Sequence, residues 1–125
     1  VAAEVGYADK AYDYFMETAR LDLDDTHGNT CHGVHTAAMA GTWLGVAYGF
    51  GGMRTDGGSL RFAPTLPAQW QGYRFRIQLR GCLLQVGVNA AGTTYRLVQG
   101  EALQFTHHGK PVALTAAQPE HQEAA

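Results

Sequence analysis

The sequence predicts an α+β fold in which two helices precede a small antiparallel sheet. Three observations predict it. Apolar residues recur at helical spacing up to about residue 20, an uncharged stretch runs from Thr36 to Met53, and strict alternation takes over from Tyr73. The 125 residues suffice for one ordinary domain. With 46% hydrophobic and 16% charged residues, the chain belongs with sequences that fold.

The first helix is expected over about residues 5–20. Ala8, Tyr12, Phe15 and Ala19 follow i, i+4, i+7, i+11, while Asp9, Asp13 and Glu17 share another face. "LDLDDTHGNTCHG" is rich in Asp, Asn, Thr and Gly and reads as a loop. A second helix is expected over about residues 34–50, uncharged on every side. Gly41, Gly45 and Gly49 each cost it about 1 kcal/mol of propensity. A close neighbour, or a ligand needing space, must offset that cost. The stretch is long enough to mimic a membrane span. Thr36, Thr42, five glycines and the lack of a polybasic flank argue instead for a helix buried in protein on all sides.

"GGMRTDGGSL" breaks the chain near residue 53. Tyr73, Phe75, Ile77 and Leu79 then alternate with Arg74, Arg76, Gln78 and Arg80, as in a strand with one buried face. Leu84, Val86 and Val88 alternate likewise. Thr94–Val98, Ala102–His107 and Val112–Thr115 complete a sheet or small sandwich of about six strands. The polar end "AAQPEHQEAA" reads as a flexible tail. Three segments result: 1–53 helical, 54–115 β, and 116–125 tail.

A net charge of −2 and strand-spaced arginines speak against a nucleic-acid partner. Cys31 and Cys82 carry no motif, so a reduced, cytoplasmic protein without a membrane anchor is expected. The chain shows no signal peptide and opens "VAAEVG" without Met, as an excised piece would. One amphipathic helix and a small sheet cannot cover the uncharged helix. The chain is therefore expected to be the C-terminal part of something larger, or to bury that helix in an oligomer.

The loop "DLDDTHGNTCHGVH" is the candidate site. As a calcium loop it fails, because glycine falls one position late and Gly33 stands where a bidentate Glu is needed. His27, Cys31, His32 and His35 match no common zinc spacing, so no metal is expected. Cys31 has imidazole neighbours but no evident oxyanion donors. An anion fits better. Gly33, His35 and Thr36 open a helix whose first N–H groups lack partners and carry the positive end of the dipole. The alternative is that Asp24, Asp25 and Asn29 merely order the loop and His35 is a satisfied core histidine.

"DLDDTHGNT", "GVHTA", "AGTW", "YGFGG" and "APTLPAQW" together resemble the C-terminal end of glycoside hydrolase family 65. That family contains maltose, trehalose, kojibiose and nigerose phosphorylases, and the resemblance covers about residues 12–115. It implies the last helices of an (α/α)6 toroid followed by a small C-terminal β domain. It implies that His35 contacts inorganic phosphate, the co-substrate, and that no other cofactor is needed. The partners implied are an α-linked glucose disaccharide, the rest of the same polypeptide and, as is common in the family, a second subunit.

Phosphate is already an anionic nucleophile, so such an enzyme needs one carboxylic acid and an anion cradle, not two carboxyl groups. The acid is expected upstream, since Glu4, Glu17 and Glu101 offer no candidate. The fragment alone is therefore expected to be inactive. His27 and Asn29 are candidates for sugar hydroxyls or loop ordering, and Trp43 and Tyr48 for core. The rival readings are a family 65 hydrolase and a carbohydrate-binding β module.

Overall fold

In the computed structural model, which describes all residues Val1–Ala125, α1 spans Ala8–Arg20. Asp9 sits in its first turn and Arg20 in its last, each at the end of the dipole that favours its charge. The second helix, α2, spans Thr36–Leu44 and widens into a π-helical turn over Gly45–Phe50. The expected glycine spacing is explained by a neighbour. A methyl group on Gly45 would lie 2.8 Å from the Phe15 ring, and one on Gly41 would lie 3.2 Å from the Thr18 methyl. The two helices thus cross where only hydrogen fits.

No residue of α2 is buried within this chain. Met39 is 60% exposed, Leu44 47% and Trp43 44%. Trp43, expected in a core, is exposed here, and its one aromatic neighbour is Tyr48, edge-on with ring centres 6.4 Å apart. The uncharged helix thus keeps an apolar face that the rest of this chain does not cover. No helix is long and apolar enough to cross a membrane.

Seven strands follow. They are β1 (Arg61–Phe62), β2 (Gly72–Leu79), β3 (Cys82–Asn89), β4 (Gly92–Gln99), β5 (Ala102–His107), β6 (Lys110–Thr115) and β7 (Glu120–Ala124). One sheet runs β2-β3-β4-β7 and is antiparallel throughout. The other runs β1-β5-β6 and is mixed, because β1 lies parallel to β5. The alternation places Phe75 and Ile77 inward with Leu84, Val86 and Val88, while Arg74, Arg76 and Gln78 face out. Phe62, Tyr95 and Phe105 join the sheets, with Tyr95 and Phe105 ring centres 4.7 Å apart.

The expectation of a flexible tail over residues 116–125 is corrected. Glu120–Ala124 form β7, paired from Gly92↔Ala124 to Arg96↔Glu120. Both faces of this edge strand are polar, so no apolar alternation announces it; backbone hydrogen bonds to β4 hold it. The helical and β parts also share a seam. Phe50 stacks edge-on against Phe15 and Trp70, and the Tyr73 hydroxyl lies 2.7 Å from the Phe50 carbonyl and 2.9 Å from that of Thr65. Met53 belongs to the same buried cluster as Leu60 and Phe62, so packing is continuous across residue 53.

Candidate functional site

The α1–α2 loop is ordered by its aspartates. Asp24 receives two hydrogen bonds from the Arg20 guanidinium, at 2.7 and 2.5 Å. It therefore orders the loop through a side chain of α1. Asp25 takes a positive φ of 47° and accepts the Thr30 N–H at 3.1 Å. A short 3-10 turn, Thr30–His32, then closes with the Gly33 N–H donating to the Thr30 carbonyl at 3.0 Å. Gly33 is thus corrected as an anion donor. Its φ of 110° turns the chain into α2, but its N–H is already occupied.

His35 is the N-cap of α2. Its backbone N–H donates to Asp22 Oδ2 at 2.7 Å. Its Nδ1 makes a short hydrogen bond to Asp22 Oδ1. A carboxylate only accepts, so Nδ1 carries the hydrogen. Asn29 Nδ2 lies 3.3 Å from His35 Nε2, where its amide donates to the remaining ring nitrogen. The His35 carbonyl accepts from Ala38 at 2.9 Å and from Met39 at 3.2 Å. The N–H groups of Thr36 and Ala37 find no partner within the chain.

Of the expected site residues, the fold brings His35, Thr36 and Asn29 together. It sets His27 apart, on the wall of a groove along α1 with Arg20, Asp24 and Glu17. Asp22 is the residue that sequence reasoning missed. It lies 13 positions before His35, a separation with no local periodicity to mark it. The His35 ring first, then the His35 backbone N–H, hold the Asp22 carboxyl below the usual carboxylate range. Arg20 does the same for Asp24, and the Thr30 N–H for Asp25. No three His, Cys, Asp or Glu side chains are arranged to hold a metal. Cys31 is exposed and Cys82 buried, and neither is in a disulfide.

What the arrangement offers is a set of donors around one imidazole at the start of an uncharged helix. The fold and this loop define a helical segment joined to a β domain. Two family models bear on the chain. The glycosyl hydrolase family 65 central catalytic domain matches residues 1–44, and the family's C-terminal domain matches residues 53–114. The chain belongs to glycosyl hydrolase family 65.

It is 50% identical over 119 residues to an alpha,alpha-trehalose phosphorylase of Geobacillus stearothermophilus, covering 95% of this chain and 16% of that protein. It is 41% identical over 114 residues to a maltose phosphorylase of Bacillus subtilis, covering 91% of this chain and 15% of that protein. A solved structure, a candidate kojibiose phosphorylase from the human microbiome, superposes with a TM-score of 0.89 at 30% identity. The match covers 99% of this chain and 17% of the solved one. The chain thus spans about one sixth of the length of the relatives it matches.

Proposed function

We propose that this chain is the C-terminal part of an inverting α-glucoside phosphorylase, in which it supplies the phosphate end of the active site. The observation that carries the reading is the start of α2. His35 stands beside the unpartnered N–H groups of Thr36 and Ala37, at the positive end of a helix dipole. Named relatives of this family that act by phosphorolysis support the same reading.

Charge separates phosphorolysis from hydrolysis. A water-using inverting enzyme needs a free carboxylate base. Here each loop aspartate is held by a donor: Asp22 by His35, Asp24 by Arg20 and Asp25 by Thr30. The loop therefore presents donors to an anion. The general acid is a Glu encoded in the preceding part of the enzyme, and this chain alone is inactive. Residues 1–53 would complete an (α/α)6 toroid, whose other helices cover the bare side of α2. The residues from 54 onward, with β7 included, form a structural β domain against its end. The enzyme would work in the cytoplasm on an α-linked glucose disaccharide and phosphate, without a further cofactor, as a homodimer.

The test is sugar release by the full-length enzyme with and without inorganic phosphate, for wild type and His35→Ala. Phosphate-dependent release, with a raised phosphate KM in the variant, is the expected result. Release that ignores phosphate would establish a hydrolase instead.

A further inference from the structure

Asp22 holds His35 at two points, and no assignment to either residue in the reading above requires it. We infer that Asp22 is a positioning residue that fixes which ring nitrogen of His35 meets phosphate and balances the charge that the ring carries there. The inference rests on the phosphate reading of the site.

The geometry argues it in three steps. First, Asp22 Oδ2 takes the His35 backbone N–H at 2.7 Å while Oδ1 takes Nδ1, so one carboxylate holds both the backbone and the ring. Two fixed points remove rotation about both side-chain torsions of the histidine. Second, with Nδ1 facing Asp22, Nε2 is the ring atom left for a ligand. Its hydrogen-bond partner within the chain is the Asn29 amide, at a long 3.3 Å. Third, phosphate offers mostly acceptor oxygens, so Nε2 must carry a hydrogen to bind it. A ring with hydrogens on both nitrogens is a cation, and Asp22 is the carboxylate that faces it.

The side chain of Asp22 is 19% exposed and that of His35 36%, so water screens the pair only in part. The other groups around the pair are Asp25, which repels Asp22, and the neutral Asn29. Phosphate at Nε2 therefore displaces the Asn29 amide from it. No covalent bond changes.

The experiment uses Asp22→Asn, which keeps an acceptor oxygen for the His35 N–H but removes the charge. Histidine ring nitrogens are read by nitrogen-15 NMR on the full-length enzyme, with His35→Ala to assign the signal. Wild-type His35 is expected to be Nδ1-protonated when neutral, and the variant to lose that preference. An unchanged tautomer balance in the variant overturns the inference.

In the full-length enzyme, Asp22→Asn is expected to raise the phosphate KM about tenfold while leaving the disaccharide KM unchanged. Equal losses for both substrates, or none, overturn it, because a merely structural role does not single out phosphate. His35→Ala, measured beside it, separates the two failures. An unchanged phosphate KM there removes the phosphate reading itself. A raised one with no effect of Asp22→Asn removes only the role of Asp22.

Discussion

Tyr95 and His107 share a hydrogen bond inside the β sandwich, with the tyrosine hydroxyl 2.7 Å from Nδ1 of the imidazole. Tyr95 is fully buried and His107 is 8% exposed. Burial first, and then the neighbouring His108, hold the His107 imidazole below its ordinary value. In the unfolded chain it titrates near its ordinary value of about 6.5, so the unfolded state binds the proton more readily. The stability that the neutral ring contributes is therefore present above about pH 6.5 and lost as pH falls below it. Urea unfolding at a series of pH values should show stability declining on the acid side. His107→Gln should flatten that decline, and an unchanged slope in the variant would count against the assignment.

The helix crossing yields a second prediction. A β-carbon on Gly45 would meet the Phe15 ring at 2.8 Å, whereas one on Gly49 would meet nothing within 4 Å. Gly45→Ala should therefore destabilise the chain by about 1–3 kcal/mol through overpacking. Gly49→Ala should be neutral or stabilising by up to about 1 kcal/mol, the helix-propensity gain. Thermal unfolding of the two variants side by side checks this. Equal effects would show that the crossing is not what requires the glycine.

Removal of residues 120–125 tests the last strand. A flexible tail could be cut without loss. Here the cut uncovers the β4 edge from Gly92 to Arg96 and takes Glu120 from Arg96, 3.4 Å away. The truncated chain should melt at a lower temperature and self-associate more at matched concentration in sedimentation. A melting temperature equal to wild type would show that β7 adds nothing.

The site loop should loosen in acid before the sandwich does. Asp22, Asp24 and Asp25 are each held below the ordinary carboxylate value, by His35, Arg20 and Thr30 respectively. A lowered carboxylate adds stability above the unfolded value of about 4, and loses it as pH falls through the lower folded value. Hydrogen exchange at the Thr30 and His35 amides should be protected near pH 6 and lose protection near pH 3, relative to amides of β3. Loop and sheet protection that fall together would refute this order.

Much of the architecture was legible in local pattern. The helix of Tyr12 and Phe15, the alternation around Phe75 and that around Val86 all stand where their periodicity places them. The exposure of Met39 follows from an uncharged helix with too little chain to cover it, whereas Trp43, expected in a core, is exposed with it. At the site, the helix start and its imidazole were legible because a polar loop abruptly meets an apolar helix. Asp22 was not, because a contact across 13 residues leaves no spacing to read. Gly33 looked like a free donor until a 3-10 turn occupied its N–H.

The sequence by itself determined the two helices, the strands from Tyr73 to Thr115 with their inward faces, and the chemical character of the loop, because these depend on side-chain periodicity and composition within a few residues; β1 and β7 it did not show. Only the tertiary structure decided which carboxylate holds His35, why Gly45 must be glycine, and that Glu120–Ala124 is a strand. Each of those rests on contacts between segments far apart in the chain, or on backbone hydrogen bonds that form whatever the side chain, and neither leaves a local signature.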